Sequence, residues 1–372
     1  MGVRHRGPRG LSALVAGVLL AFAPACASIN PFGLDEEEQA RLDVFTENAQ
    51  TYYDRGHYAQ ALHSADQALL IDEDLTAMKL VKAMSLLKIG QANQKDDLVE
   101  QSLMLFDEML DAWGGTDDFR IQLGAGQAHL ARALRHGQVI QKVDQRLGAT
   151  FLDAEGRRNE EALRARQVAL REEHLERADE HLSAVLADDG QADNVYAMID
   201  LVLVLSSRGG REDEIVAHAG RALELLAESS RVTQAQLDNL TKLSPEGRLQ
   251  LERRIDSNLT KEQQIRDLVA TVHYNRGDRA SFLQEIAGLE QRGLATDAHY
   301  YNRARVHEEA GRYTEAIADL EMCLRLRARR LSYESDTLAP ELFTRIDRLQ
   351  EAVSGGEVPA APSGGVPPSS AP

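Results

Sequence analysis

A helical stretch ends at a glycine and a second begins at once, and this happens again at a fixed distance. In Tyr52-Tyr53-Asp54-Arg55-Gly56-His57-Tyr58 the glycine breaks one apolar-periodic run from the next, and Gly90 ends a later run. Near the far end, Gly277 in Arg276-Gly277-Asp278 precedes Gly311 in Ala310-Gly311-Arg312-Tyr313. The two intervals are equal, since 90 − 56 and 311 − 277 are the same number. A glycine at such a point admits the left-handed backbone that stops a helix. A constant period means one small unit copied, each copy burying its apolar face on the next. From Asp35 to Val353 apolar residues recur at three- and four-residue spacing, and only Pro245 and Pro340 interrupt. That predicts an all-α chain.

The flanks of those glycines repeat as well. In the first unit Phe45, Ala49, Tyr52, Gly56, Tyr58, Ala61 and Ala68 alternate bulky and small residues; in the last, Ala304, Gly311, Tyr313, Ala316 and Cys323 take the equivalent places. This pattern resembles the tetratricopeptide repeat (TPR), a helical hairpin whose period matches the interval between the glycines. It is closest at residues 43–71 and 297–326, looser at 196–226 and 263–292, and partial at 76–110. The resemblance implies a TPR-like helical-hairpin solenoid whose first helices line a concave face. In this chain that face would carry Asp43, Thr46, Gln50, Tyr53 and Asp54, then Asp267, Thr271, Tyr274 and Asn275, then Tyr301, Arg305, Glu308 and Glu309.

The middle of the chain departs from the repeat. Residues 118–147 and 157–187 read as two helices of about 45 Å each, paired as a long antiparallel hairpin that is either a solvated brace or a docking arm. Residues 229–258 read as an irregular helical insert in which Ser244 caps a helix opened by Pro245. Thr260 with Gln263 reads as a capping box for the next repeat. The expected organisation is therefore a leader at 1–25, a tether at 26–34, N-terminal repeats at 35–112, the long hairpin at 113–190, C-terminal repeats at 191–353 and a disordered Pro/Gly/Ser/Ala tail at 354–372.

The leader is an address. Arg4, Arg6 and Arg9 precede the uncharged run 11–23, and Ala23-Pro24-Ala25-Cys26 follows, which resembles a bacterial lipobox. The resemblance implies diacylglycerol and a further acyl chain, such as palmitate, on Cys26 as a membrane anchor. Ala27 and Ser28, with no Asp after the cysteine, imply outer-membrane sorting, the body facing the periplasm. An ordinary secretory signal cut near Ala25 fits the same residues.

Chemistry-bearing groups are sparse. His174 and His181 are seven residues apart, too far along one helix for both to hold one ion, and metal motifs on helices use spacings of three or four. Cys323 sits at a small packing position, which predicts a buried, inert thiol. Arg276-Gly277-Asp278 is accounted for by the repeat turn, and the glycosylation sequons at Asn239 and Asn258 mean little in a bacterial lipoprotein. Glu36, Glu37 and Glu38 read as a helix start facing the positive end of its dipole. There is no phosphate-binding loop or nucleophile elbow. The expectation is no enzyme, cofactor or metal.

The chain carries a formal charge of −17, which becomes −20 once the three leader arginines are removed. Phosphate backbones are held by Lys and Arg, so nucleic acid is excluded and protein partners are expected. These readings combine into a non-enzymatic envelope lipoprotein that scaffolds an assembly: secretin or pilus, outer-membrane protein, or polysaccharide export. A regulator of a cell-wall enzyme is the alternative.

Overall fold

A computed structural model describes residues 34–112, 118–148, 152–239, 244–330 and 338–355. The leader, Cys26, most of the tether and residues 356–372 of the tail lie outside them. The described residues form thirteen helices and no strand: α1 Glu36–Asp54, α2 Tyr58–Leu69, α3 Thr76–Asn93, α4 Asp96–Ala112, α5 Phe119–Leu147, α6 Ala154–Ala187, α7 Val195–Arg208, α8 Glu212–Asn239, α9 Pro245–Asn275, α10 Arg279–Gln291, α11 Asp297–Glu309, α12 Tyr313–Arg330 and α13 Ala339–Val353. Two compact units divide at Asn258 and Leu259. Each is built of consecutive helical hairpins.

The turn glycines show why. Gly56, Gly277 and Gly311 adopt φ of +75°, +75° and +70°, a region that costs any residue with a Cβ. Gly209 and Gly210 form the longer turn between α7 and α8, both with positive φ. Gly90 does not turn the chain. It lies inside α3, which runs on to Asn93, and Gln94 takes the left-handed position at φ +53°. A Cβ on Gly90 would stand 2.8 Å from Val99 Cγ2 and 3.1 Å from Val99 N, so its smallness admits the start of α4.

Helix starts follow their sequences. The Asp35 side chain accepts from Glu38 N at 2.8 Å, and the Asp35 N–H donates to Glu38 Oε2 at 3.2 Å. This is a complete capping box, with Glu36, Glu37 and Glu38 in the first turn. Asp118, Asp153, Asn194 and Asp278 cap α5, α6, α7 and α10 in the simpler way. Ser244 Oγ accepts from Gly247 N at 3.1 Å and Pro245 opens α9.

Residues 229–258 are more regular than expected. α8 runs on to Asn239 and α9 begins at Pro245, so most of the insert lengthens two helices. Asn258 Nδ2 ties them by donating to Ser229 Oγ at 3.2 Å and Ser230 Oγ at 3.1 Å. Thr260 and Gln263 consequently sit inside α9, and no helix starts there. A capping box needs a chain that enters from outside the helix, and here it is already helical.

The first unit packs α1 to α8 in chain order. Ala49, Ala61, Ala65 and Ala68 are fully buried between α1 and α2, and such small residues bring helix axes close. Phe106 of α4 fills the space against Leu87, Ile121 and Ala125. The long hairpin is α5 with α6, of 29 and 34 residues, closed by Val143, Leu175, Ala178 and Leu182. In the second unit Phe282, Ile286 and Leu289 of α10 pack with Ala270 and Val306. Ala304, Ala316, Leu320 and Cys323 join Leu342, Ile346 and Leu349 of α13.

Candidate protein-binding surface

In the first unit the expected groove residues lie along α1. Asp43 is exposed and its Oδ1 accepts from Gln39 Nε2 at 2.9 Å. Gln50 Nε2 donates to Asp54 Oδ1 at 2.8 Å, while Gln50 Oε1 is buried with no hydrogen-bond partner among the described residues. One helical turn brings Gln50, Tyr53 and Asp54 to the same face.

Tyr53 meets the edge of Tyr58 of α2, ring centroids 5.5 Å apart at 60°. Burial raises the Tyr53 phenol above its ordinary range, and Tyr58, Asp54 and Tyr196 add to the rise. Tyr58 is raised by burial and by Tyr196. Tyr196 opens α7, far along the chain, so the fold gathers three phenols that the sequence separates. Tyr196 is 38% exposed. Tyr58 and Tyr196 are absent from the groove expected from sequence. The repeat register names the first helix of each unit but not which units face each other.

Charge sharpens this patch. Asp43 and Asp54 are held only by glutamine amides, with no ion-pair partner among the described residues. Burial pushes the Asp54 carboxyl above its ordinary range, and the Gln50 amide works against that. The result is an aromatic surface with uncompensated negative charge.

The second unit is different. His299 Nε2 lies 2.9 Å from Asp267 Oδ1, and His299 Nδ1 accepts from Thr296 N at 2.9 Å. Tyr274 stands edge-on to Phe282 at 5.4 Å, with the Arg279 guanidinium 4.3 Å from its ring centroid and that of Arg305 at 5.8 Å. Asp267 and Tyr274 are thus already engaged, and Arg305 is drawn onto Tyr274.

Tyr301 and Glu308 are not open to a partner. Tyr301 is 5% exposed in the core with Leu342 and Ile346, and Arg345 of α13 lies 5.2 Å over its ring. Glu308 Oε1 accepts from Arg345 Nε at 2.6 Å, and Arg348 lies 3.9 Å from Glu308 Oε2. The expectation that these two line a groove is corrected: α13 carries apolar residues at 342, 346 and 349, and burying them covers the end of the last hairpin.

Several other charges of this unit are paired in depth. Arg303 grips both oxygens of Asp319 and reaches Glu290 Oε2 at 2.7 Å. Glu262 is held by Arg266 and Arg292, and Arg266 continues to Glu285 at 2.7 Å. Asp319 and Glu290 serve α11 structurally, and the open patch is the one in the first unit.

No protein-family model matches the chain, and no curated protein matches it. Among solved structures it is similar to a tetratricopeptide repeat protein from Parabacteroides merdae, at 12% identity over 83% of this chain and 99% of that one, TM-score 0.30. It is also similar to the P58(IPK) TPR domain, at 14% identity over 84% and 99%, TM-score 0.21. Yeast Tom70 gives 11% identity over 86% of this chain and 73% of that one, TM-score 0.22.

Proposed function

We propose that this protein is a non-enzymatic scaffold that binds protein partners through the Tyr53–Tyr58–Tyr196 patch, and that the segment bound there is basic. The observation that carries the reading is three phenols gathered beside Asp54, a partly desolvated carboxylate with no cation of its own. Aromatic faces attract Lys and Arg, more strongly where water is excluded, and Tyr is enriched where proteins meet. The acidic balance of the chain favours the same partner charge.

Within this proposal the body is held at the bacterial outer membrane, facing the periplasm, by acyl chains on Cys26, and it serves an envelope assembly such as secretin, pilus, outer-membrane protein or polysaccharide export. Among the described residues no helix is long and apolar enough to cross a membrane. Multiple chains at about 0.8 kcal/mol per buried CH₂ hold stably.

Two experiments test the two halves. Proteins recovered with wild type from detergent-solubilised membranes are compared with those recovered by Tyr53→Ala and Asp54→Asn. Loss of the same basic proteins from both variants is expected, and an unchanged set rules out the patch. Separately, Cys26→Ser is expected to move the protein from the membrane fraction to the soluble one; continued membrane association removes the anchor from the proposal.

A further inference from the structure

Four histidines form one row inside the long hairpin. On α5, Gln122, His129 and His136 follow each other at intervals of seven residues; on α6, Gln167, His174 and His181 repeat the same order at the same interval. Seven residues are two helical turns, so each trio lies on one face. The helices are antiparallel and the two trios interleave. His181 stacks on His129 with centroids 5.6 Å apart at 12°, His129 meets His174 at 5.2 Å and 41°, and His174 stacks on His136 at 5.5 Å and 12°.

The hydrogen bonds have the same near-symmetry. At the centre, His129 Nδ1 and His174 Nδ1 are 2.9 Å apart, so one ring donates and the other accepts. At the ends, His181 Nδ1 lies 2.7 Å from Gln122 Oε1 and His136 Nδ1 lies 2.6 Å from Gln167 Oε1. An amide oxygen only accepts, which places the hydrogen of each outer ring on Nδ1 and a lone pair on Nε2. In His136, 8% exposed, that Nε2 is buried with no hydrogen-bond partner among the described residues.

That one lone pair apart, the row's hydrogen bonds are those of neutral rings. Protonating both central rings would set N–H against N–H, and imidazolium neighbours at these separations repel in a medium poorer than water. The rings lie in file instead of converging, and no group of three His, Cys, Asp or Glu among the described residues could hold a metal ion.

We propose that the four-histidine row is a proton-operated joint: neutral, it locks α5 to α6; protonated, it loosens the hairpin that links the α3–α4 and α7–α8 hairpins of the first unit. Burial and the charges around it act on three of its rings. Burial pulls His129 down to about 3, and His174, His181 and Arg177 reinforce this. Burial also lowers His174, helped by His136 and Arg132 and opposed by Glu173. His181 is lowered by burial and by Arg177, while Glu180 and Asp107 resist.

The neighbouring helices contribute little else. Asp107 comes from α4, α3 meets α5 through apolar Met84, and on the α7 side Asp200 is held by Gln127 at 2.8 Å while Arg208 is held by Glu172 and Asp179. The sign follows. Unfolded histidines titrate near 6.5 and the folded His129, His174 and His181 lower, so the unfolded hairpin binds more protons below that pH. Stability is whole above about 6.5 and drains away as pH falls toward the folded values.

The test uses the full chain. Histidine Cε1–H resonances are followed by NMR from about pH 8 to about pH 4, with amide exchange on the same samples corrected for its intrinsic pH dependence. His129, His174 and His181 are expected to titrate below the free value, and α5 and α6 to lose protection before α11 and α12. In His129→Gln/His174→Gln at least half of that acid-induced loss should vanish. Should that pair fail to fold, Gln122→Glu supplies a carboxylate to His181 and should raise its titration by about one unit. Rings that all titrate independently near the free value, or α5 and α6 protection that falls no earlier than that of α11 and α12, overturn the joint. So does stoichiometric Zn²⁺ binding that His129→Gln abolishes, which reassigns the row as a metal site.

Discussion

Arg345 of α13 donates to Glu308 of α11 at 2.6 Å while its guanidinium lies 5.2 Å over the ring of Tyr301. Both partners of the ion pair are largely buried, at 14% and 13% side-chain exposure. Removing one leaves the other charge desolvated, with only Arg348 at 3.9 Å in reserve. Arg345→Ala should therefore cost about 2–3 kcal/mol, and Arg345→Lys should recover part of it, because an ammonium keeps the charge but loses the planar stack. Urea denaturation measures this. A midpoint that does not move shows that α13 is held by its apolar face alone.

Tyr53→Ala and Tyr301→Ala, both expected from the repeat pattern on the concave face, should behave in opposite ways. Tyr301 is core, so its truncation should lower stability by about 3 kcal/mol and disturb α13. Tyr53→Ala should cost less, about 1–2 kcal/mol for its partly buried ring, and remove partner binding. Thermal unfolding read beside partner recovery separates them. Equal stability losses would contradict the placement of Tyr301.

Three glycines test two different reasons for having no side chain. Gly277→Ala and Gly311→Ala meet no neighbour within 4 Å, so their cost is that of a Cβ at φ +75° and +70°. Each should lose about 1–2 kcal/mol. Gly90→Ala sits mid-helix, where alanine gains about 1 kcal/mol of propensity. Its Cβ, however, would lie 3.1 Å from both Lys95 O and Val99 N, backbone atoms that cannot swing away. Crowding of this kind costs about 1–3 kcal/mol, so the net effect should be destabilising. A stabilised Gly90→Ala would mean that α4 shifts freely.

Cys323 is 1% exposed in the core of the last hairpins. In a Cys26→Ser background a thiol reagent should label no cysteine in the folded protein and one after denaturation. Rapid labelling under native conditions would show that α12 and α13 open far more readily than their packing implies.

The hairpin unit was legible because its causes are local. A positive-φ glycine, an acidic cap and apolar residues at helical spacing act within a few residues, and they placed the α1–α2 and α11–α12 hairpins and the long α5–α6 pair. Gly90 misled because a glycine that turns the chain and one that admits a neighbour look alike in sequence. The insert misled similarly: Thr260 and Gln263 are spaced as a capping box, but helix already arrives from Pro245.

Sequence by itself determined the repeated helical hairpin, its turns, its caps and its acidic balance, since each follows from neighbours along the chain. Only the tertiary structure decided which surfaces meet. It brought Tyr196 within electrostatic reach of Tyr53, laid α13 over Tyr301, and interleaved two histidine pairs that seem unconnected while each is viewed along its own helix. The physical reason is that periodicity states which face a residue occupies and nothing about what stands opposite. That depends on how long each helix runs and how closely its small residues let the next one approach.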